Sequence, residues 1–262
     1  MAETPEHSRY HAYMQAAEGV QGWYSDMSAA LFDAFLAFQG GPGGPGDMLE
    51  IGVAYGRSAL MMGMHLRDDA TLRLVDIGTA LMEQSVALIR PHCQGKVEPI
   101  LQYSEALPPD SLPALGTRFV HIDGDHGTWG VQADLALADR VLRQDGVVVL
   151  DDFFSESFVG VTWGAMTWLA QNPGRFEMVL VGFNKAYLVR PRGARRALEF
   201  IRDGLQPHLA ACGQPPSTLL RTDDPRACGC FGITARQFDR DYVTREIAMG
   251  LPEETPPGKY PV

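Results

Sequence analysis

The sequence predicts one α/β domain, with a doubly wound, mostly parallel sheet, helices on both faces and a helical cap in front. Two short apolar runs that end in acid, residues 119–122 and 147–150, are typical of buried parallel strands. Residues 131–142 space their apolar side chains along one helical face, so the three segments predict a strand–helix–strand unit. A glycine turn after a further apolar run, residues 48–51, is where doubly wound folds bind ligands.

Composition limits the class of protein. The 262 residues are 45% apolar, which is enough for one large core. A net charge of −10 argues against nucleic-acid and anionic-membrane partners, because both are polyanions. The chain has no signal-peptide pattern at its start and no apolar run near the roughly 20 residues that span a bilayer. Its four cysteines lack disulfide-framework or zinc-site spacing, so we expect a cytoplasmic protein.

We expect three regions within one structural domain. Residues 1–46 are predicted to form the helical cap and a Gly/Pro linker, residues 47–192 the core, and residues 193–262 a C-terminal helix and an irregular tail.

The cap contains two helical patterns, residues 10–17 and 25–38, with Ser25 as the N-cap of the second. Such helices usually pack on the core, and in some proteins they also cover a substrate.

The first turn of the core combines two glycines with an acid. Gly52 and Gly56 allow a tight turn and a close backbone approach to a ligand, and residues 58–66 continue as a helix. With Glu50 in front, the spacing differs from the three-glycine fingerprint of dinucleotide-binding folds. A carboxylate here favours a ligand with a cationic group over a pyrophosphate.

The second strand, residues 72–75, ends in Asp76. Doubly wound folds place an acid about 20 residues after the glycine turn to bind a ribose diol. A plain strand-end aspartate is the alternative. A helix over residues 83–88 and a strand over residues 97–103 follow.

Ionisable residues follow both strands of the opening unit: the acids Asp123 and Asp125 with His126 after the first, and the acids Asp151 and Asp152 after the second. Parallel strands share one carboxyl edge, so these side chains converge there. Carboxylates so close repel each other unless a cation lies among them, and oxygen ligands suit magnesium, calcium or manganese. Strand and helix caps are the alternative interpretation.

The residues around this site have a structural interpretation. Mid-strand His121 is more typical of a core histidine than of a ligand. Residues 153–158 predict an aromatic loop at the mouth of the site, followed by a helix over residues 159–170. Trp163 and Trp168 on that helix belong to the core or, less favoured, to a substrate wall.

The C-terminal third begins with two strands, residues 175–181 and 185–189, around a turn, which predicts a hairpin. Residues 194–205 predict a basic amphipathic helix with a solvated face. The tail after it either wraps a partner subunit or stays loose.

Four motifs together resemble class I S-adenosylmethionine-dependent methyltransferases: residues 49–56 (LEIGVAYG), Asp76, residues 123–126 (DGDH) and residues 150–153 (LDDF). More narrowly, residues 45–190 resemble the magnesium-dependent O-methyltransferases of antibiotic sugars, of the macrocin and mycinose type. The resemblance implies a Rossmann-like sheet of seven strands with the hairpin as its antiparallel end. It also implies a role in antibiotic or other natural-product biosynthesis.

The resemblance assigns roles residue by residue. The residues that it places around S-adenosylmethionine are Glu50, Gly52, Tyr55, Gly56, Ser58, Asp76, Ser104 and Asp123. Of these, Glu50 and the glycines would line the methionine end, Asp76 would hold the ribose, and Ser104 would lie near the adenine. The resemblance places a divalent metal, Mg²⁺ by preference, on Asp123, Asp151 and Asp152, and the general base at His126 or Asp125. Catechol O-methyltransferases carry Asp-Asn and a lysine where this chain has Asp151-Asp152 and His126, which favours the sugar or natural-product branch.

These inferences predict a metal-dependent O-methyltransferase. A sulfonium is a good leaving group, so the protein must align an oxygen with the methyl carbon and make it nucleophilic. A divalent ion lowers the pKa of a bound hydroxyl, and His126 or Asp125 takes its proton. A chelate needs two neighbouring oxygens, so the expected substrate is a small hydroxylated molecule: a natural-product sugar, a vicinal diol or a catechol. We also expect a homo-oligomer of two or more subunits.

Three other functions stay open at this point. They are a metal-independent small-molecule methyltransferase, a nucleotide-dependent oxidoreductase, for which the three-glycine fingerprint is missing, and a non-catalytic cofactor-binding module.

Overall fold

The computed structural model describes residues 7–41, 44–108, 110–221 and 229–235. The strands in these ranges are β1 Asp47–Ile51, β2 Thr71–Asp76, β3 Lys96–Leu101, β4 Thr117–Ile122, β5 Leu142–Asp151, β6 Glu177–Gly182, β7 Lys185–Val189, β8 Thr218–Leu220 and β9 Phe231–Thr234. The α-helices are α1 Tyr10–Ala16, α2 Asp26–Phe38, α3 Arg57–Met64, α4 Thr79–Ile89, α5 Thr128–Val141, α6 Val159–Gln171, α7 Pro191–Asp203 and α8 Leu205–Ala211.

All nine strands form one sheet in the order β3-β2-β1-β4-β5-β7-β6-β9-β8. The strands from β3 to β5 in this order are parallel, and β7 runs antiparallel to both β5 and β6. The strand order reverses between β1 and β4, so the carboxyl ends of these two strands flank the crevice where such folds bind ligands. The predicted α/β class and mostly parallel sheet are confirmed.

The expected number of seven strands is wrong. β9 pairs in parallel with β6, and β8 pairs antiparallel with β9, in the region expected to be an irregular tail. Leu219, Phe231 and Ile233 are buried by this pairing, which gives the chain a reason to return to the sheet. Strands of three and four residues are too short to show a clear alternation in sequence.

Helices cover both faces of the sheet and create two cores. In β4, Phe119 points to the core beneath α2, α3 and α7, whereas Val120 and Ile122 point to the core beneath α5 and α6. This burial on both faces explains why β4 and the second half of β5 are continuously buried instead of alternating.

The N-terminal cap is packed into the first of these cores. Ser25 caps α2 as predicted, since its Oγ accepts the Ser28 backbone N–H at 3.1 Å. The residues of α2 between Met27 and Leu36 are all buried, so this helix has no solvent face over that length.

A buried carboxylate, Asp33, ties the cap to the rest of the molecule. It accepts hydrogen bonds from Ser8 Oγ (2.5 Å), Arg9 N (2.6 Å), His65 Nε2 (2.8 Å) and His208 Nε2 (2.7 Å). Burial opposes ionisation, but the histidine and serine donors hold the pKa of Asp33 well below its usual range. Asp33 therefore joins the start of the described chain to the ends of α3 and α8.

Two further predictions concern membranes and cysteines. No helix in the described ranges combines the length and the apolar character needed to cross a membrane. Cys93 and Cys212 carry free thiols, and Cys228 lies outside the described residues.

Candidate active site

A cleft of about 380 Å³ lies at the carboxyl ends of β1, β2 and β4. Four loops line it with Gly52 and Ala54, Asp76 and Ile77, residues 102–105, and residues 123–125. A concave site with a few converging polar groups, at the point where strand order reverses, is the usual form of a small-molecule site.

Asp76 holds the glycine turn in place. Its Oδ2 accepts the backbone N–H groups of Val53 (2.7 Å) and Ala54 (3.1 Å), and its Oδ1 accepts that of Gly78 (2.7 Å). Asp76 thus shapes the floor of the cleft, and its carboxylate lies on the cleft wall.

Both glycines of the turn have left-handed backbone conformations. A Cβ on Gly52, whose φ is +82°, would lie 1.9 Å from the backbone oxygen of Asp123. A Cβ on Gly56, whose φ is +77°, would lie 2.8 Å from Ser85 Cβ. Gly52 therefore permits close contact between the loops after β1 and β4, and Gly56 permits packing between α3 and α4.

Glu50 and Ser58 lie beneath the cleft, and the expectation that they line it is wrong. Glu50 is fully buried; its Oε1 accepts the Ser58 hydroxyl and lies 2.6 Å from His121 Nδ1. The reason is the strand alternation, which directs Glu50 towards α3 instead of towards the open edge. Tyr55 and Gly56 are also absent from the described lining of the cleft.

Glu50 is the first of four residues of alternating charge on neighbouring strands: Glu50, His121, Asp151 and Lys185, here called the buried charge row. His121 Nε2 lies 3.4 Å from Asp151 Oδ2, and Lys185 Nζ lies 2.5 Å from the same oxygen. Burial alone would lower the pKa of His121, but the hydrogen bonds that its ring donates to Asp151 and Glu50, and the negative charges of these two carboxylates, raise it to about 9.

Asp151 is therefore held by two cations. Its own burial opposes ionisation, but His121 and Lys185 keep the pKa of this carboxyl well below its usual range. His121 is a core histidine, as predicted. Lys185 is only 3% exposed, and its Nζ also lies 5.4 Å from the centre of the Tyr24 ring.

Asp123, His126 and Asp152 form an open acid cluster beside the cleft, with ligand atoms within 4.8 Å of one another. His126 Nε2 lies 3.5 Å from Asp123 Oδ1 and 3.1 Å from Asp152 Oδ2. The hydrogen bond with Asp123 outweighs burial and raises the pKa of His126. Burial and the neighbouring carboxylates raise the pKa of Asp152, against a hydrogen bond from Asn184.

Asp125 lines the cleft but does not orient His126. Its Oδ1 accepts the backbone N–H of Gly127 (2.9 Å), the residue just before α5, so this carboxylate holds the turn that leads into the helix. The carboxylates that contact the His126 ring are Asp123 and Asp152 instead.

Aromatic and apolar side chains form a second concavity of about 790 Å³ along α6, which includes Phe154, Val159, Trp163 and Met166. Trp163 is 72% exposed, so the favoured assignment of Trp163 to the core is wrong; Trp168 on the inner face is buried as predicted. Phe158 connects this wall to the acid cluster, because its ring stacks on His126 with centroids 4.0 Å apart.

A family described as a methyltransferase domain matches residues 49–153, which contain the glycine turn, Asp76 and both acidic strand ends. This match supports a class I S-adenosylmethionine-dependent methyltransferase. No curated protein matches it.

Solved structures share the methyltransferase fold at low identity. A Corynebacterium glutamicum protein is 20% identical, with 71% of this chain and 92% of that chain covered and a TM-score of 0.53. An O-methyltransferase from Bacillus cereus in complex with SAH is 16% identical, with 71% and 92% covered and a TM-score of 0.51. The SAH-bound Podospora anserina methyltransferase PaMTH1 is 13% identical, with 72% and 98% covered and a TM-score of 0.51.

The cleft of this methyltransferase suits S-adenosylmethionine. The carboxylate of Asp76 lies on the cleft wall, where it can accept hydrogen bonds from the hydroxyl groups of a ribose. Ile77 and Tyr103, which are 61% and 56% exposed, offer the apolar contacts that an aromatic base needs. Ser104 supplies a polar group at the same end.

The open acid cluster suits a divalent cation better than the predicted metal set does. Asp123 and Asp152 offer carboxylate oxygens near the cleft, which is the donor chemistry of Mg²⁺. Oδ2 of Asp151 already contacts Lys185 and His121, which compete with a metal for this carboxylate. A ligand atom of Asp151 nevertheless lies within 4.8 Å of ligand atoms of Asp123 and His121.

Sequence reasoning missed two residues of the site, Lys185 and Asp134. Each interrupts an otherwise apolar pattern: Lys185 opens the predicted strand 185–189, and Asp134 lies on the apolar face of α5 with Val131, Leu135 and Ala138. A charged residue on an apolar face indicates a buried charge with a partner, and this signal was present in the sequence.

Proposed function

We propose that this methyltransferase transfers a methyl group to a hydroxyl oxygen of a small molecule with two adjacent oxygens, with help from a divalent cation. The open acid cluster carries this proposal. Two carboxylates and an imidazole meet beside the cofactor cleft, where a metal ligand pair and a proton acceptor are both within reach of one acceptor molecule.

Each residue has a distinct task in this proposal. Asp76 and Ser104 bind the two ends of the nucleoside, and Asp123 and Asp152 hold the cation. S-adenosylmethionine supplies the methyl group on a sulfonium, and the cation supplies a lowered pKa for the hydroxyl that it binds. His126 takes the hydroxyl proton, and its ring is held by the stack on Phe158.

The aromatic wall supports an acceptor with an apolar body. The wall includes Trp163 and Met166 of α6, and Phe158, the residue just before that helix, stacks on His126. A vicinal diol, catechol or natural-product sugar could place its paired oxygens at the cluster and lay an attached ring against this wall.

A metal-independent O-methyltransferase is the second candidate. The buried charge row favours it, because Lys185 already neutralises one of the three acids of the predicted metal set. In that case His126 acts alone, oriented by Asp123 and Asp152.

The experiment is methyl transfer from labelled S-adenosylmethionine to a panel of vicinal diols, catechols and glycosides, after metal removal and after addition of Mg²⁺. The proposal expects activity that needs Mg²⁺ and that Asp152→Asn and His126→Gln each lower by at least about 100-fold. Asp145→Asn, an exposed aspartate on β5, is the control and should keep wild-type activity. Activity that is equal with and without Mg²⁺ would reject the cation and leave the second candidate.

A further inference from the structure

A buried acid behind the cleft wall, Asp134, has no role in the proposed reaction. It lies on α5 with no exposed surface, and its Oδ1 accepts a hydrogen bond from the Ser104 hydroxyl. Its other oxygen, Oδ2, has no hydrogen-bond partner among the described residues. A Cβ on Gly124, a residue of the cleft lining, would lie 3.3 Å from that oxygen, so Asp134 packs directly behind the wall.

The Ser104 hydroxyl has one proton, and Asp134 determines where it points. An ionised carboxylate can only accept, so the proton is committed to Asp134 and the lone pairs of Ser104 Oγ are left for the cleft. The other acceptor near Ser104 is Glu105 Oε2, at 3.4 Å, a longer and weaker contact. A protonated Asp134 could instead donate to Ser104, which would release the serine proton towards the cleft.

We propose that Asp134 is a positioning residue that fixes the direction of the Ser104 hydroxyl, so that the cleft selects an amino-bearing purine over an oxo-bearing one. The 6-amino group of adenine donates a hydrogen bond to the lone pairs of Ser104, whereas the 6-oxo group of hypoxanthine can only accept. The inference rests on the proposed placement of the nucleoside base beside Ser104.

The hydrogen bond between Ser104 and Asp134 also makes the preference for adenine depend on pH. Burial, and to a lesser extent the charges of Glu105 and Asp125 on the facing loops, raise the pKa of Asp134 to about 7, against the hydrogen bond from Ser104. Above that pH the carboxylate holds the serine proton. Below it the direction of the hydroxyl is no longer fixed.

The test is calorimetric binding of S-adenosylhomocysteine and S-inosylhomocysteine to the full-length protein, because the two ligands differ only in the purine. The ratio of their dissociation constants cancels every titration in the shared amino-acid part. We expect adenine to be preferred at about pH 8, and this preference to fall by roughly three- to tenfold in Asp134→Asn, whose amide can donate or accept. Ser104→Ala should show the same loss, and the double variant no more than either.

A pH series and a matched control separate positioning from a structural role. In the wild type the preference should decline as pH falls from about 8.5 to about 6, and in Asp134→Asn it should stay flat. Asp139→Asn, a matched change on the same helix in a residue paired with Arg190, should change stability without changing the preference.

The results can reject this inference independently of the proposed function. The role of Asp134 alone would be overturned if the variants bind S-adenosylhomocysteine but Asp134→Asn and Ser104→Ala keep the wild-type preference for adenine. It would also be overturned if Asp139→Asn lowers that preference as much as Asp134→Asn does. A wild-type preference that does not vary with pH would also overturn it. Failure of the wild type to bind either ligand would overturn both the cofactor placement and the inference.

Discussion

Removal of the Lys185 charge tests whether the buried charge row holds the site together. The variant Lys185→Met keeps an unbranched side chain of similar length and leaves Asp151 with His121, at 3.4 Å, as its remaining cation. Breaking a buried ion pair typically costs about 3–5 kcal/mol, and the surviving contact to His121 places the expected loss at about 3 kcal/mol. For a chain of this size that corresponds to a fall in Tm of about 6–12 °C.

The assay is urea denaturation of wild type and variant at neutral pH with a chelator present. Lys96→Met is the matched control, because Lys96 is 66% exposed and its contact with Glu98 is a surface pair; we expect a change below about 0.5 kcal/mol. Mg²⁺ should then stabilise Lys185→Met more than wild type, since Asp151 becomes available as a further carboxylate ligand. A loss no larger than that of Lys96→Met would refute the charge row as a structural unit.

Two further variants test the glycine turn and the cap. Gly52→Ala should weaken S-adenosylhomocysteine binding at least about tenfold, because its Cβ would displace the Asp123 backbone. Gly174→Ala is the control for backbone strain, because Gly174 has a φ of +76° and open space around its Cβ position. Equal losses of affinity in the two variants, measured by calorimetry, would contradict the role of Gly52 in the cleft. Asp33→Asn should lower the free energy of unfolding by about 3 kcal/mol at pH 7. The folded pKa of Asp33 lies below the unfolded value of about 3.9, so the stability that it contributes is present above pH 4 and is lost as pH falls further. Urea denaturation should show this acid-side loss in wild type and a flatter profile in Asp33→Asn; a parallel profile would exclude Asp33 as its source.

The sequence was sufficient to predict the elements of the fold whose signal is local. The acid-ended apolar runs became β4 and β5, and Ser25 is the cap of α2, because strand burial and helix capping depend on a few consecutive residues. The sequence did not reveal β8 and β9, whose burial depends on pairing with β6, far away in the chain. The sequence also did not reveal that α1, α3 and α8 enclose α2.

As with the fold, only the part of the site that follows from sequence order could be predicted. The convergence of Asp123, His126 and Asp152 follows from parallel strands sharing an edge, which sequence order can predict. The interior position of Glu50, and the pairing of Asp151 with Lys185, depend on the direction of side chains across four strands. That direction is a property of the assembled sheet, not of any one motif.

Binding of S-adenosylhomocysteine to wild type and to Asp76→Ala, measured by isothermal titration, tests the central claim most directly. The account predicts saturable binding to the wild type and at least about tenfold weaker binding to the variant. The variant lacks the carboxylate that would bind the ribose and that supports the glycine turn. No heat with the wild type, or equal affinity in the two proteins, would contradict the assignment of this cleft to the cofactor.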